Sequence, residues 1–134
     1  MAQRQTSCIL IVDDNPVVRE RLAQVLRAGG EEVITAATGE QAFGVLRDWS
    51  KPVDWLYTKA RLPGLIDGWI LADAFHDTHP SRVAIIAADR DRTSSRGDVV
   101  LGQESPASIL HALRDCQGLH DGQAEGAEHM RYAA

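Results

Sequence analysis

The feature that most constrains the fold is an alternation of short apolar runs with stretches of helical periodicity, repeated five times along the chain. The apolar runs predict strands at residues 8–12, 33–36, 54–58, 83–87 and 99–101. The first run, CILIV, is apolar at every position, which is typical of a strand covered by helices on both faces. Strands and helices that alternate in this way predict an α/β fold built on a parallel sheet.

Capping residues and helical periodicity predict the helices between these strands. Asn15 can cap a first helix that starts at Pro16, and Gly29 with Gly30 can end it. Further helices are predicted at residues 39–49, at residues 67–79 and from residue 106 onward. Residues 88–98 are too few for an average helix of about 11 residues with its loops. We therefore expect the fourth helix to be shortened or missing.

The expected topology places the candidate chemistry at one edge of the sheet. Right-handed crossovers and five strand–helix units favour a doubly wound, flavodoxin-like sheet of order 2-1-3-4-5. In such sheets the functional crevice lies beyond the carboxyl ends of the strands. The residues predicted there are Asp13, Asp14, Lys59, Ala87 or Ala88, and Gln103.

The chain of 134 residues fits a single domain. We expect a polar lead at residues 1–7, a folded domain at residues 8–116 and a flexible, Gly-, Ala- and Glu-rich tail at residues 117–134. No apolar run approaches the roughly 20 residues of a membrane helix. The polar lead and the short apolar run after it do not form a signal peptide. These features predict a cytoplasmic protein without a membrane partner.

The charge argues against nucleic-acid binding, and the cysteine content bears on the redox state of the protein. The net charge is −5 and the basic residues are scattered among acids, which argues against a nucleic-acid-binding surface. The two cysteines, Cys8 and Cys116, fall in a predicted strand and at a predicted helix end. We expect both to be reduced thiols that pack as small apolar side chains.

Two motifs together point to a family. The segment ILIVDDNP at residues 9–16 is followed by DWLYTKARLPG at residues 54–64, with an Asp-Gly pair at residues 67–68. In this order they resemble the receiver domains of bacterial response regulators, over about residues 8–116. The resemblance implies a CheY-like fold and a role in two-component phosphorelay signalling. One residue, Ile66, is extra relative to the family's spacing between Pro-Gly and Asp-Gly.

The resemblance also implies a set of functional positions. In the family, two acids after the first strand hold Mg²⁺, and an aspartate after the third strand accepts phosphate from a histidine kinase. A hydroxyl residue after the fourth strand and a lysine after the fifth bind the phosphoryl oxygens, and an aromatic residue in the fifth strand changes rotamer. The matching residues here are the acid pair Asp13 and Asp14, then Lys59, Ala87 (Ala88 if the register slips by one), Gln103 and Val100.

Only the acid pair keeps the family's chemistry. Lys59 occupies the phosphoacceptor position, and its ammonium group has three donors and no acceptor, so it cannot form an acyl phosphate. Ala87, Gln103 and Val100 lack the hydroxyl, the cation and the aromatic ring of their positions. We therefore predict a degenerate receiver, or pseudo-receiver, that is not an enzyme and binds Mg²⁺ weakly or not at all.

Two placements of the Lys59 side chain are compatible with the sequence. At about 4 Å from a carboxylate, an ammonium gains about 4 kcal/mol at an effective dielectric near 20, before desolvation costs. Lys59 could therefore take the place of the metal and bridge to Asp13 or Asp14. Alternatively, its long side chain could extend to solvent from a relaxed pocket.

Other polar residues offer weaker candidates. His76 and His79 have a spacing that metal sites use, but we interpret them as residues that suit the C-terminal end of a helix. We expect His111, Cys116 and His120 to be surface or tail residues. Asp54 is predicted at the opposite end of its strand and Asp67 in a loop, so neither replaces the phosphoacceptor.

The leading functional hypothesis is a phosphorylation-independent interaction module in two-component signalling. Its expected partner is a histidine kinase, a phosphotransfer protein or another response regulator, and a homodimer is compatible with the sequence. One alternative is a conventional phosphoaccepting receiver whose aspartate has been replaced in a variant. The other is a small flavodoxin-like enzyme or ligand-binding protein, which would need a convergent set of polar groups at the strand ends.

Overall fold

The computed structural model describes residues 7–88, 97–102 and 105–125, with side chains up to residue 118. Four parts of the predictions lie outside these residues: most of the polar lead, the centre of the fourth crossover, Gln103 and the end of the tail. Within the described part of the chain, no helix is both long and apolar enough to span a membrane.

The described residues form five strands and four helices, which alternate except that β5 follows β4 directly. The elements are β1 (Cys8–Val12), α1 (Pro16–Ala28), β2 (Glu32–Ala36), α2 (Gly39–Leu46), β3 (Trp55–Lys59), α3 (Gly68–Thr78), β4 (Ile85–Ala87), β5 (Val99–Leu101) and α4 (Pro106–Glu125). Asn15 caps α1 through a hydrogen bond from the Val17 amide to its side chain, and Pro16 is the first helical residue. The predicted start of this helix is therefore confirmed.

The strands form one parallel sheet in the order β2-β1-β3-β4-β5, as predicted. Its central strands are apolar because both faces are covered by helices. Side chains alternate between the faces, so Ile9 and Ile11 join one core cluster whereas Leu10 and Val12 join the other. The first cluster includes residues of α1 and α4, and the second includes residues of α2 and α3.

Helix α2 is shorter than its apolar periodicity predicts. The periodicity extends to residue 49, but the helix ends at Leu46. The Asp48 side chain instead accepts hydrogen bonds from the amide and the hydroxyl of Ser50. Local side-chain bonds of this kind compete with helix continuation. Trp49, predicted as the last helical residue, is 82% exposed.

Helix α4 extends further than predicted. The start of the flexible tail was expected at residue 117, but the helix continues to Glu125. Residues 117–125 contain no proline, so the backbone can continue its hydrogen bonds through Gly118 and Gly122 in spite of their low helix propensity. Residues 126–134 lie outside the described part. Cys116 is buried, as expected of a packed thiol and contrary to a surface position.

The fourth crossover differs in length from the other three. Only residues 88–98 separate β4 from β5, and the described ones, Ala88 and residues 97–98, are not helical. Residues 89–96 lie outside the described part of the chain. Strands β4 and β5 are neighbours in the sheet, and the Val99 amide donates a hydrogen bond to the Ala84 carbonyl.

Candidate functional site

The register of the sheet brings the predicted site residues to one edge. Val12 in β1 lies opposite Thr58 in β3, so the residues that follow β1 come level with Lys59. Lys59 in turn lies opposite Ala87, the last residue of β4. The carboxyl ends of three adjacent strands therefore converge, as predicted for a crevice in a doubly wound sheet.

Lys59 and Asp14 form an ion pair at this edge. The Lys59 Nζ atom donates to Asp14 Oδ1 at 3.0 Å. The Lys59 side chain is 23% exposed and the Asp14 side chain 40% exposed. Of the two placements considered from the sequence, the side chain adopts the bridge, and Asp14 is its partner. The contact is charge-assisted and partly hydrated.

Asp13 lies deeper than Asp14 and is held by different donors. Its carboxylate is fully buried; Oδ1 accepts from the Asn15 amide at 2.9 Å and Oδ2 accepts from the Tyr57 hydroxyl at 2.8 Å. The Asp13 carbonyl accepts from the Arg19 guanidinium at 2.9 Å. The two acids thus differ in their surroundings: the Asp13 carboxylate is buried in the interior, and the partly exposed Asp14 carboxylate pairs with Lys59.

Tyr57 is a site residue that the sequence motifs did not identify. Its ring is fully buried in the middle of β3, two residues before Lys59. A buried tyrosine needs a partner for its hydroxyl, and strand alternation puts positions 57 and 59 on the same face of the sheet. A tyrosine in the middle of a buried central strand was the signal that could have predicted this contact.

The remaining family positions supply no titratable group within the described residues. Ala87 is buried at the end of β4, and its carbonyl accepts from the Ala60 amide at 2.7 Å. Val100 lies in β5 opposite Ile86 and is half-buried. Gln103 lies outside the described residues. The methyl group of Ala87 offers no hydrogen bond to a ligand in the crevice.

The loop between β3 and α3 is fixed beside the site by close backbone packing. A Cβ at Gly68 would lie 2.3 Å from the Lys59 carbonyl oxygen, so only glycine fits there. Gly64 has a positive φ of 92°, which also favours glycine. The Glu40 carboxylate accepts from the Leu65 amide at 2.9 Å, and this hydrogen bond lowers the pKa of Glu40.

The other acids considered from the sequence have structural positions. The Asp67 side chain caps α3 by accepting from the Ile70 amide at 2.9 Å. Asp54 precedes β3, at the opposite end from Lys59, and accepts from the Cys8 amide at 2.8 Å. The expectation that neither lies at the phosphoacceptor position agrees with these contacts.

His76 belongs to a buried pair that was not predicted. Its Nε2 atom lies 2.7 Å from Asp98 Oδ1, and both side chains are nearly inaccessible to solvent. The same oxygen accepts from the Ala84 amide at 2.7 Å. The pair therefore connects α3 with the segments that precede β4 and β5. The contact with Asp98 accounts for the burial of His76 without a metal ion. The His79 ring stacks on the ring of Phe75.

The acid pair does not fit the Mg²⁺ ion that the resemblance implies. Mg²⁺ requires oxygen ligands at about 2.0–2.1 Å in near-octahedral geometry and usually keeps several waters. Asp13 has no solvent-exposed surface, and both of its carboxylate oxygens accept hydrogen bonds from the protein. The Asp14 carboxylate already has an ammonium group at 3.0 Å. A divalent cation would have to displace these donors.

Comparison with known proteins agrees with the fold and the motifs. The family model of the response regulator receiver domain matches residues 9–100. The chain is 32% identical over 110 residues to the transcriptional regulatory protein AfsQ1 of Streptomyces coelicolor, covering 82% of this chain and 45% of that protein. It is 38% identical over 77 residues to a response regulator receiver protein of Anaeromyxobacter, covering 58% of this chain and 31% of that protein. The chain thus spans less than half the length of these relatives.

Solved structures show the same fold. A CheY-like receiver domain protein from Methanospirillum hungatei has a TM-score of 0.73 at 21% identity, covering 91% of this chain and 100% of that one. A receiver protein from Sinorhizobium medicae has a TM-score of 0.72 at 19% identity, covering 84% of this chain and 94% of that one. At such identities the similarity shows the architecture alone.

Proposed function

Because the chain belongs to the response regulator receiver domain family, and hence to two-component signalling, we propose that it acts there as a phosphorylation-independent interaction module. The single observation that supports this proposal is the contact between Lys59 and Asp14 at the end of β3. The proposed degenerate pocket consists of Asp13, Asp14, Lys59, Ala87 and Gln103, with Val100 at the switch position.

The chemistry of position 59 supports the absence of phosphoryl transfer. In this family the nucleophile is a carboxylate, whereas an ammonium paired with Asp14 has no lone pair with which to attack phosphorus. The positive charge instead neutralises Asp14, the sequence neighbour of the buried Asp13. The negative charge of Asp14 is thereby balanced by Lys59 without a metal ion or a phosphoryl group.

The proposed partner is a histidine kinase, a phosphotransfer protein or another response regulator, bound in the cytoplasm. A receiver domain that cannot accept phosphate would bind such a partner without removing the phosphoryl group from it. The proposal includes no catalysis, no nucleic-acid binding and no membrane binding. The net charge of −5 supports the exclusion of nucleic acid.

Incubation with acetyl phosphate and Mg²⁺ tests the proposal directly. The mass of the intact protein should remain unchanged under conditions in which a conventional receiver domain, run in parallel, gains a phosphoryl group. An adduct of about 80 daltons on an aspartate, labile to acid and base, would overturn the proposal. That outcome would favour the conventional phosphoaccepting alternative.

Partner capture from the native cell extract tests the interaction itself. The chain should retain a kinase, phosphotransfer protein or response regulator equally well with and without acetyl phosphate and Mg²⁺. Retention that requires the phosphodonor would contradict phosphorylation independence. Retention of a small molecule and none of these proteins would instead favour the ligand-binding alternative.

A further inference from the structure

The hydroxyl of Tyr57 provides a second internal partner for the acid pair. It donates to Asp13 Oδ2 at 2.8 Å, and both residues are fully buried. The other oxygen of this carboxylate accepts from the Asn15 amide at 2.9 Å. A buried carboxylate is stabilised by such donors, and a charged acceptor makes each hydrogen bond stronger than a neutral one.

Strand β3 therefore supplies both side-chain donors from one face. Alternation along the strand puts Tyr57 and Lys59 on the same side, two positions apart. The phenol reaches the buried Asp13, and the ammonium reaches the partly exposed Asp14. Each acid thus has its own hydrogen-bond donor from this strand.

We infer that Tyr57 is a specificity-determining residue of this pocket, which excludes divalent cations by holding the Asp13 carboxylate inward. The inference deepens the proposed function and rests on it, because it assumes that the wild-type pocket takes neither metal nor phosphoryl group. Two features then exclude Mg²⁺ from the pocket. Lys59 replaces an acid, and the Asp13 carboxylate is held in the interior.

The geometry explains why the phenol matters for a metal. A cation at the strand ends would need an Asp13 oxygen, or a water held by it, turned toward the crevice. Turning the carboxylate breaks the 2.8 Å hydrogen bond from Tyr57 and takes a charged acceptor away from a buried hydroxyl. The loss of a buried hydrogen bond to a charged acceptor is costly, so the carboxylate stays in place. Phenylalanine at position 57 keeps the ring and removes this restraint.

Calorimetric titration with MgCl₂ tests the inference in a background that carries an aspartate at position 59. The variant Lys59→Asp should bind Mg²⁺ weakly, and the double variant Tyr57→Phe/Lys59→Asp should bind at least about tenfold more tightly, equivalent to about 1.4 kcal/mol. Equal dissociation constants for the two variants would overturn the inference.

Thr58 offers a matched control for the loss of a buried hydroxyl. Its side chain is fully buried and donates to the Lys59 carbonyl at 2.9 Å, and strand alternation directs it to the face opposite Tyr57. The variant Thr58→Val/Lys59→Asp should bind Mg²⁺ with the affinity of Lys59→Asp. An equal gain from Thr58→Val and Tyr57→Phe would show a general loosening of the strand and would also overturn the inference.

A second measurement needs no change at Tyr57 and so does not depend on the folding of that variant. In Lys59→Asp with ¹³C-labelled carboxyl groups, saturating Mg²⁺ should shift the resonances of Asp14 and of the aspartate introduced at position 59, and leave that of Asp13 in place. A comparable shift of Asp13 would mean that Tyr57 does not restrain it. Phosphorylation of the wild-type chain would overturn the proposed function, whereas either failure described here removes only the role of Tyr57.

Discussion

The Lys59 ammonium and the Asp14 carboxylate form a contact of 3.0 Å between the end of β3 and the segment after β1. With 40% of the Asp14 side chain exposed, water screens this pair strongly. The contact therefore determines the charge of the pocket more than it determines the stability of the fold. The figure of about 4 kcal/mol at an effective dielectric near 20 leaves out desolvation and screening by salt, so the net contribution of the pair to stability is smaller.

Lys59→Met should lower the free energy of unfolding by about 1 kcal/mol or less, because the ion pair is partly exposed. A double-mutant cycle with Asp14→Asn, followed by urea denaturation at low and high salt, measures the coupling. The coupling should weaken as salt increases. Lys51→Met, at an exposed position in the loop before β3, serves as the control and should have little effect. A coupling of several kcal/mol that salt does not change would contradict the assignment.

The buried His76–Asp98 pair should contribute far more to stability. Asp98→Ala removes the acceptor of both His76 and the Ala84 amide, so we expect a loss of about 3–5 kcal/mol. The exposed His111–Asp115 pair provides the comparison, because its side chains are 80% and 64% exposed. Asp115→Ala should change the free energy of unfolding by about 0.5 kcal/mol at most. Similar losses in urea denaturation for the two variants would contradict the structural role of the buried pair.

Gly68→Ala should destabilise the protein at the boundary of the site. The new methyl group would lie 2.3 Å from the Lys59 carbonyl oxygen and 2.9 Å from the Ala60 Cα, and neither backbone atom can move freely. Overpacking of this kind costs about 1–3 kcal/mol. Gly44→Ala, in α2 with no atom near the added methyl, should instead stabilise by about 0.5–1 kcal/mol. Thermal denaturation of both variants tests the opposite signs.

The Cys8 thiol should make stability depend on alkaline pH. Burial, together with the nearby carboxylates of Glu32 and Asp54, raises the pKa of Cys8 from 9.0 to about 11. The unfolded chain therefore loses this proton at lower pH than the folded chain does. The contribution of the neutral thiol to stability is complete below pH 9 and is lost as pH rises from 9 to about 11.

Urea denaturation across this pH range, with Cys8→Ala as the reference, measures that contribution. The difference in unfolding free energy between wild type and Cys8→Ala should fall as pH rises. Cys116→Ala should keep the decline that belongs to Cys8. A difference that stays constant with pH would contradict the buried, neutral state of the Cys8 thiol.

Much of the fold followed from local patterns. The cap at Asn15 and the start of α4 at Pro106 were predicted because capping residues and apolar runs act over a few positions. The order of the strands was predicted from the alternation of strands and helices and the right-handed crossover rule. The errors were at the ends of elements: β3 and β4 are Trp55–Lys59 and Ile85–Ala87 instead of residues 54–58 and 83–87, and two helix ends differ more. Helix α2 stops at Leu46, where Asp48 bonds to Ser50, and α4 continues to Glu125. Apolar periodicity identifies the face of a helix that is buried, but it does not identify the residue at which the helix ends.

The sequence by itself determined that Asp13, Asp14 and Lys59 meet at the strand ends, because parallel strands bring their carboxyl ends to the same edge. It also determined that position 59 carries a cation. Only the tertiary structure decided that Lys59 pairs with Asp14, that Tyr57 holds Asp13, and that His76 meets Asp98. These partners lie 45, 44 and 22 residues apart along the chain. Their contacts depend on strand register, burial and side-chain rotamers, which no local pattern of residues specifies.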